Sequence, residues 1–289
     1  MIDPAPAETA AALDSRPRRA SRVSVVFGRV VVALAFGVLI VAVLWALVPG
    51  WFAPQDPTAI DVTRKFLPPG SDALLGTDSL GRDLYTRIVH GTGLSLQAAM
   101  IAVAVGFVSG TILGVVAGAV GGWLDAAIMR LNDVSLALPG ILLSLIVITA
   151  LGAGTTNVAI AVGVGLTASF ARLTRAETIR IMALPYVEAA RADRISRVRI
   201  FSAYVLPNAI RPVFALATLD IGTAILSVAS LGFLGYGAPP PTPEWGMLVA
   251  EGRNGLPLYW WLSLFPGMAI TFVVLATNYL GRRLSQGAR

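Results

Sequence analysis

The chain has 289 residues, 56% of them hydrophobic and 13% charged, with a mean hydropathy of +0.75. Soluble domains run about 45–50% apolar and about 25% charged, so a water-soluble globule of this size lacks the polar surface it needs, and a disordered chain would be poorer in apolar residues. No cysteine is present, which removes disulfides, thiol nucleophiles and iron–sulfur ligation, and the single histidine, His90, cannot build a metal cluster.

The solvent this composition fits is a lipid bilayer, which takes about 20 mostly apolar residues to cross as a helix. In chain order, residues 1–29 hold a Pro-, Ala- and Arg-rich tail, and Val30–Val48 is the first span, too long for the core of a signal peptide and expected to remain uncleaved. Trp51–Gly93 is a long polar segment rich in Asp, Pro and Gly, so residues 30–93 form one unit of first helix plus outer segment. Residues 94–281 form the core: spans Leu94–Gly118, Ile128–Leu151, Asn157–Leu173, Val213–Phe233 and Leu262–Leu280, with a basic loop over 174–208 and a short tail over 282–289. In Ile128–Leu151 the charged first turn (Arg130, Asn132, Asp133) is expected at the interface and Pro139 to kink the helix only. The expected architecture is all-α and polytopic, with six transmembrane helices.

With both termini in the cytoplasm, 17 of the 22 basic residues fall inside, and the five outside (Arg64, Lys65, Arg82, Arg87, Arg253) face seven acids. That obeys the positive-inside rule. The net charge of +6 is therefore a topology signal rather than a nucleic-acid footprint. Lys65 is the only lysine and follows no Gly-rich turn, so no Walker A motif exists; nucleophile elbows and His-Glu-x-x-His pairs are absent as well. The chain is expected to be non-catalytic, with no metal site and no cofactor of its own.

Three features carry information. Ala98, Ala102, Gly106, Gly110, Gly114 and Gly118 recur every fourth residue and make one stripe where another backbone can approach closely, either as helix packing or as a pore lining. Asp220 sits mid-span, where a charge costs about 2.5–3.5 kcal/mol on insertion scales; it either hydrogen-bonds a neighbouring helix or lines the path of a polar or cationic substrate. Leu184-Pro185-Tyr186-Val187-Glu188-Ala189-Ala190-Arg191 reads as a short cytoplasmic helix started by Pro185, with Ala189 and Ala190 as a slim seating face.

Glu188-Ala189-Ala190, followed by Leu206-Pro207, resembles the EAA loop of ABC importer permeases. Leu75-Gly76-Thr77-Asp78 with Gly81-Arg82-Asp83, then Pro240-Pro241-Thr242-Pro243 with Trp245-Gly246 and Ala250-Glu251-Gly252-Arg253, resemble outer segments of the dipeptide/oligopeptide/nickel permeases, C-type subunit. The chain is identified as a member of that family, type I ABC importer permease-like. The resemblance implies that the loop around Tyr186, Glu188, Ala189, Ala190, Arg191, Arg194, Leu206 and Pro207 docks on ATPase subunits (two, or one fused), which carry the ATP and Mg. It also implies a B-type second permease sharing the path, and an extracytoplasmic binding protein. For that protein the docking or gating surface would be Gly76, Thr77, Asp78, Gly81, Arg82, Asp83, Pro241, Trp245, Glu251 and Arg253, unless these segments are rigid turns capping the bundle. Di- or oligopeptides are the implied substrates, with nickel or other peptide-like ligands as the alternative; an ion-coupled secondary transporter is the competing class. Two departures stand out. Arg194 replaces the family's glycine in the EAA turn, and Asp220 stands where glycine is common while Val228 stands where many relatives have glutamate.

Overall fold

The computed structural model describes residues 22–287, with side chains for 29–283; Arg16, Arg18 and Arg19 of the expected tail, and Arg289, lie outside the described residues. The described chain is helical: α1 (Arg22–Leu47), α2 (Pro49–Phe52), α3 (Leu84–Val120), α4 (Gly122–Ala137), α5 (Gly140–Leu151), α6 (Thr155–Met182), α7 (Pro185–Ala192), α8 (Arg197–Ile200), a π-turn over Phe201–Val205, α9 (Leu206–Phe233), α10 (Trp245–Gly252) and α11 (Trp261–Gly287). Among the described residues, five helices are long and apolar enough to cross a membrane: α1, α3, α6, the continuous Arg197–Phe233 and α11. The bent pair α4–α5 makes a sixth at most.

That pair corrects the expectation of a single kinked span over Ile128–Leu151. The two helices meet at 104°. Pro139 drives the residue before it out of the helical region, and Leu138 accordingly lies at φ −87°, ψ 139°. The direction of the bend comes from α6. Asn132 Nδ2 donates to the Ala168 carbonyl at 3.0 Å, and Arg175 and Arg172 on α6 pair with Asp125 and Asp133 on α4. Asp125, Asn132 and Asp133 thus tie α4 to α6.

The small-residue stripe explains how α3 and α6 lie together. A Cβ added at Gly110 would stand 2.5 Å from the Phe170 Cβ and 2.6 Å from the Thr167 carbonyl; at Gly114 it would stand 2.4 Å from the Ala171 carbonyl. Gly106 and Gly118 meet the same helix at Leu166 and Thr178. Backbone touches backbone over about three turns, the contact by which helices associate where lipid offers no hydrophobic drive. Ala98, Ala99, Ala102, Val158, Ala159 and Val162 continue it into the main core, which α9, α10 and α11 complete through Ala224, Val228, Trp245 and Ile270. His90 Nε2 lies 2.9 Å from the Ala53 carbonyl and fastens α3 to the end of α2.

Candidate functional site

On the side expected to be cytoplasmic, α7 follows α6 after a two-residue break. Pro185 occupies its first turn, where the missing N–H has no helical partner to lose. Val187 and Ala190 turn inward onto Ile181, Ile200, Val205 and Ala209, while Tyr186, Glu188, Ala189 and Arg191 remain exposed. Ala189 and Tyr186 thus lie on the exposed side of α7, whereas Ala190, expected beside Ala189 on one slim face, is 6% exposed. The helix ends in a Schellman turn: Ile195 N–H donates to the Ala190 carbonyl and Arg194 N–H to the Arg191 carbonyl, both at 3.1 Å. Arg194 holds the left-handed position of that turn at φ 57°, so the turn is the one a glycine would make, built with a residue that strains it.

Leu206-Pro207 has a physical reason too. Proline inside a helix removes one N–H and pushes its ring against the carbonyl four residues back. Here the preceding turn widens to a π-turn, with Leu206 N–H reaching the Phe201 carbonyl, which absorbs Pro207 without breaking the rod from Arg197 to Phe233. Tyr204, in the π-turn, lies with its ring 6.2 Å from that of Tyr186. Through these contacts α7 is fixed to the ends of both α6 and α9.

On the opposite side, Gly76–Asp83 folds as a tight knot that starts α3. Gly81 has φ 77°, and a Cβ there would sit 1.7 Å from the Asp61 carbonyl, so only glycine fits. Asp78 Oδ1 accepts the N–H groups of Leu80 (2.8 Å) and Arg82 (3.0 Å), and Asp83 caps α3 by accepting the Thr86 N–H at 2.8 Å. Asp78 Oδ2 accepts Arg82 Nε at 2.6 Å and Arg87 Nη1 at 2.7 Å; Arg87 then reaches Glu251 at the end of α10, with Nη2 3.0 Å from Oε1. Two acids and two arginines thus form a closed ionic cluster, with Asp78, Arg82 and Arg87 at most 5% exposed. Thr77, Gly76 and Gly81 are buried with it, and Trp261 Nε1 donates to the Thr77 carbonyl at 3.4 Å. Sequence reasoning missed Arg87, whose only signal was its place five residues after Arg82.

The second outer segment wraps over the same region. Trp245 is 1% exposed, its Nε1 donating to the Ile88 carbonyl at 3.1 Å. Glu244, fully buried, caps α10 by accepting the N–H groups of Gly246 (2.9 Å) and Met247 (3.2 Å). Burial pushes its carboxyl above the usual carboxylate range, and those N–H groups pull the other way. Of the residues expected on this surface, Pro241, Glu251 and Arg253 are exposed, and Arg253 lies 5.8 Å over the Phe233 ring. Leu74, Ser79, Leu80 and Pro239–Thr242 are exposed beside them. Asp220 lies on α9, far along the chain from both surfaces, and its Oδ2 is buried with no hydrogen-bond partner among the described residues.

Comparison with known proteins gives this arrangement a family. Residues 110–289 match the family described as binding-protein-dependent transport system inner membrane component. The chain is 40% identical over 251 residues to the di/tripeptide transport system permease protein DppC of Pseudomonas aeruginosa, covering 84% of this chain and 82% of that protein. It is 37% identical over 244 residues to the probable D,D-dipeptide transport system permease protein DdpC of Escherichia coli, with coverage of 84% and 82%. It is also 40% identical over 253 residues to the glutathione transport system permease protein GsiD of Pectobacterium atrosepticum, with coverage of 87% and 83%. In fold it resembles the MetNI methionine ABC transporter in an inward-facing conformation, with a TM-score of 0.57 at 18% identity over 70% of this chain and 96% of that one. The chain belongs to the binding-protein-dependent transport system inner membrane components and is a multi-pass permease subunit of an ABC importer.

Proposed function

We propose that this permease is the C-type half of a peptide importer, paired with a B-type permease around one path. ATPase subunits on separate chains (two, or one fused) bind and hydrolyse ATP, and an extracytoplasmic binding protein delivers the substrate. Both termini lie in the cytoplasm in this reading, which the distribution of arginines supports. Short peptides are the substrate class because relatives at 37–40% identity are named for dipeptides, tripeptides and glutathione. The ATPase would seat on Tyr186, Glu188, Ala189 and Arg191, with Arg194, Leu206 and Pro207 shaping the support behind them. The binding protein would dock near Pro241 and Arg253, the ionic cluster of Asp78, Arg82 and Glu251 stiffening the surface beneath. Asp220 lies on the path.

One observation carries the coupling role. The exposed side of α7 stands on a buried apolar foot shared by α6 and α9. A push on α7 therefore moves two spans as levers rather than being absorbed in a loose loop, and the tight α3–α6 packing passes it on. The test is ATP-dependent peptide uptake by the reconstituted complex carrying Glu188→Arg with Ala189→Trp. Uptake is expected to fall to background while the subunits still copurify. Full uptake by that variant would overturn the coupling role, and uptake that survives ATP depletion but stops when ion gradients collapse would place the chain among secondary transporters.

A further inference from the structure

α9 carries a polar face that the described residues cover only in part. At ~100° per residue, Asp220, Thr223, Ser227 and Ser230 fall within about 80° of one another. The neighbouring face, with Ala224, Ile225 and Val228, enters the core. Thr223 is exposed, and Asp220, Ser227 and Ser230 are partly so. Ser230 Oγ satisfies itself on the Leu226 carbonyl at 2.7 Å. The hydroxyls of Thr223 and Ser227 and the carboxylate of Asp220 have no hydrogen-bond or ion-pair partner among the described residues, and Asp220 Oδ2 is buried without a donor. The nearest basic residue in α9 is Arg211, nine positions earlier and roughly 13 Å along the axis. A carboxylate held in a membrane span without a counter-charge is normally turned towards protein or water and marks a substrate or ion route. Here it stands at the inner end of a row of hydroxyls that climbs about 15 Å, half the hydrocarbon thickness, towards the outer side.

We propose that this face selects peptides with a positively charged side chain: Asp220 is the counter-charge for a side-chain ammonium group, and Thr223 and Ser227 accept its N–H bonds on the way in. The proposal rests on the peptide-path reading above and adds to it the charge that the path prefers. An ammonium supplies several N–H donors, which suits a carboxylate oxygen that has none, while a hydroxyl row offers acceptors without trapping the charge. A neighbouring helix donating to Asp220 would satisfy the same oxygen but would give no charge preference among substrates.

The experiment compares initial uptake of Ala-Lys, Ala-Ala and Ala-Glu by the full complex, with binding protein, in proteoliposomes. Asp220→Asn is expected to lower Ala-Lys uptake roughly tenfold, the worth of one charge-assisted bond, while Ala-Glu stays within about twofold. Asp220→Glu should keep the wild-type order and Asp220→Lys should reverse it. An equal fall for all three peptides overturns the proposal in favour of a structural role. If Asp220→Asn does not assemble, Thr223→Val and Ser227→Ala carry the test: a selective fall for Ala-Lys supports charge selection, and a uniform change or none overturns it. A wild-type complex that takes up none of the three would overturn the peptide reading itself, and charge selection with it.

Discussion

Arg87 and Glu251 lie 164 residues apart in sequence and meet with Nη2 3.0 Å from Oε1, closing a cluster in which Asp78 bridges Arg87 and Arg82. The pairing ties the start of α3 to the end of α10 and makes the two outer segments one piece. Breaking a buried pair by removing one partner costs more than the pair contributes, because the orphaned charge stays buried. Asp78→Asn leaves two guanidinium groups sharing Glu251, and we expect a loss of about 3–5 kcal/mol in the stability of the solubilised complex. Thermal unfolding checks it, and a double-mutant cycle with Arg87→Met should show strong coupling between the two positions.

The α3–α6 contact predicts a steep dependence on side-chain size. Gly110→Ala places a methyl 2.5 Å from the Phe170 Cβ and against backbone, which cannot yield. Overpacking of this kind costs about 1–3 kcal/mol or more, and Gly110→Leu should prevent accumulation of folded protein. Gly37→Ala, which would meet nothing within 4 Å, is the matched control and should be silent. Size-exclusion profiles and yields in detergent measure both.

Arg194 occupies the left-handed position of the turn after α7 at φ 57°. A non-glycine residue there is strained by roughly 1–2 kcal/mol. Arg194→Gly should therefore stabilise the complex by about 1 kcal/mol with peptide-stimulated ATP hydrolysis intact. Loss of that hydrolysis in an assembled complex would mean that the guanidinium itself contacts the ATPase.

Glu244 predicts a pH dependence. Burial raises its carboxyl above the ordinary 4.5, so the folded protein holds that proton more tightly than the unfolded chain. The resulting stabilisation is complete below the ordinary value and is lost as pH rises through the folded one. Glu244→Gln removes this titration, so the variant should gain on the wild type as pH rises above 4.5 and lose its advantage in acid. Melting temperatures of both proteins across that range decide it. Gly232→Ala should be disruptive at every pH, because its methyl would lie 2.3 Å from Glu244 Oε2.

The sequence by itself carried the family resemblance in its short motifs, and it determined the solvent, the all-helical class and the approximate spans, because these rest on composition and local periodicity. The Gly76–Asp83 spacing and the Pro185 and Leu206-Pro207 positions were legible for the same reason, each answering a backbone requirement within a few residues. Only the tertiary structure decided what depends on partners distant in sequence. Pro139 excludes the helical conformation at Leu138, but the 104° turn follows from α4 being bonded to Ala168, Arg172 and Arg175 on α6. Arg82 and Arg87 read as loop charges until Asp78 and Glu251 close around them, and Ala190 read as outward-facing until Ile200 and Val205 came to cover it. Backbone preferences are set within a turn of the chain; burial and charge pairing are set by whichever surfaces the bundle brings together.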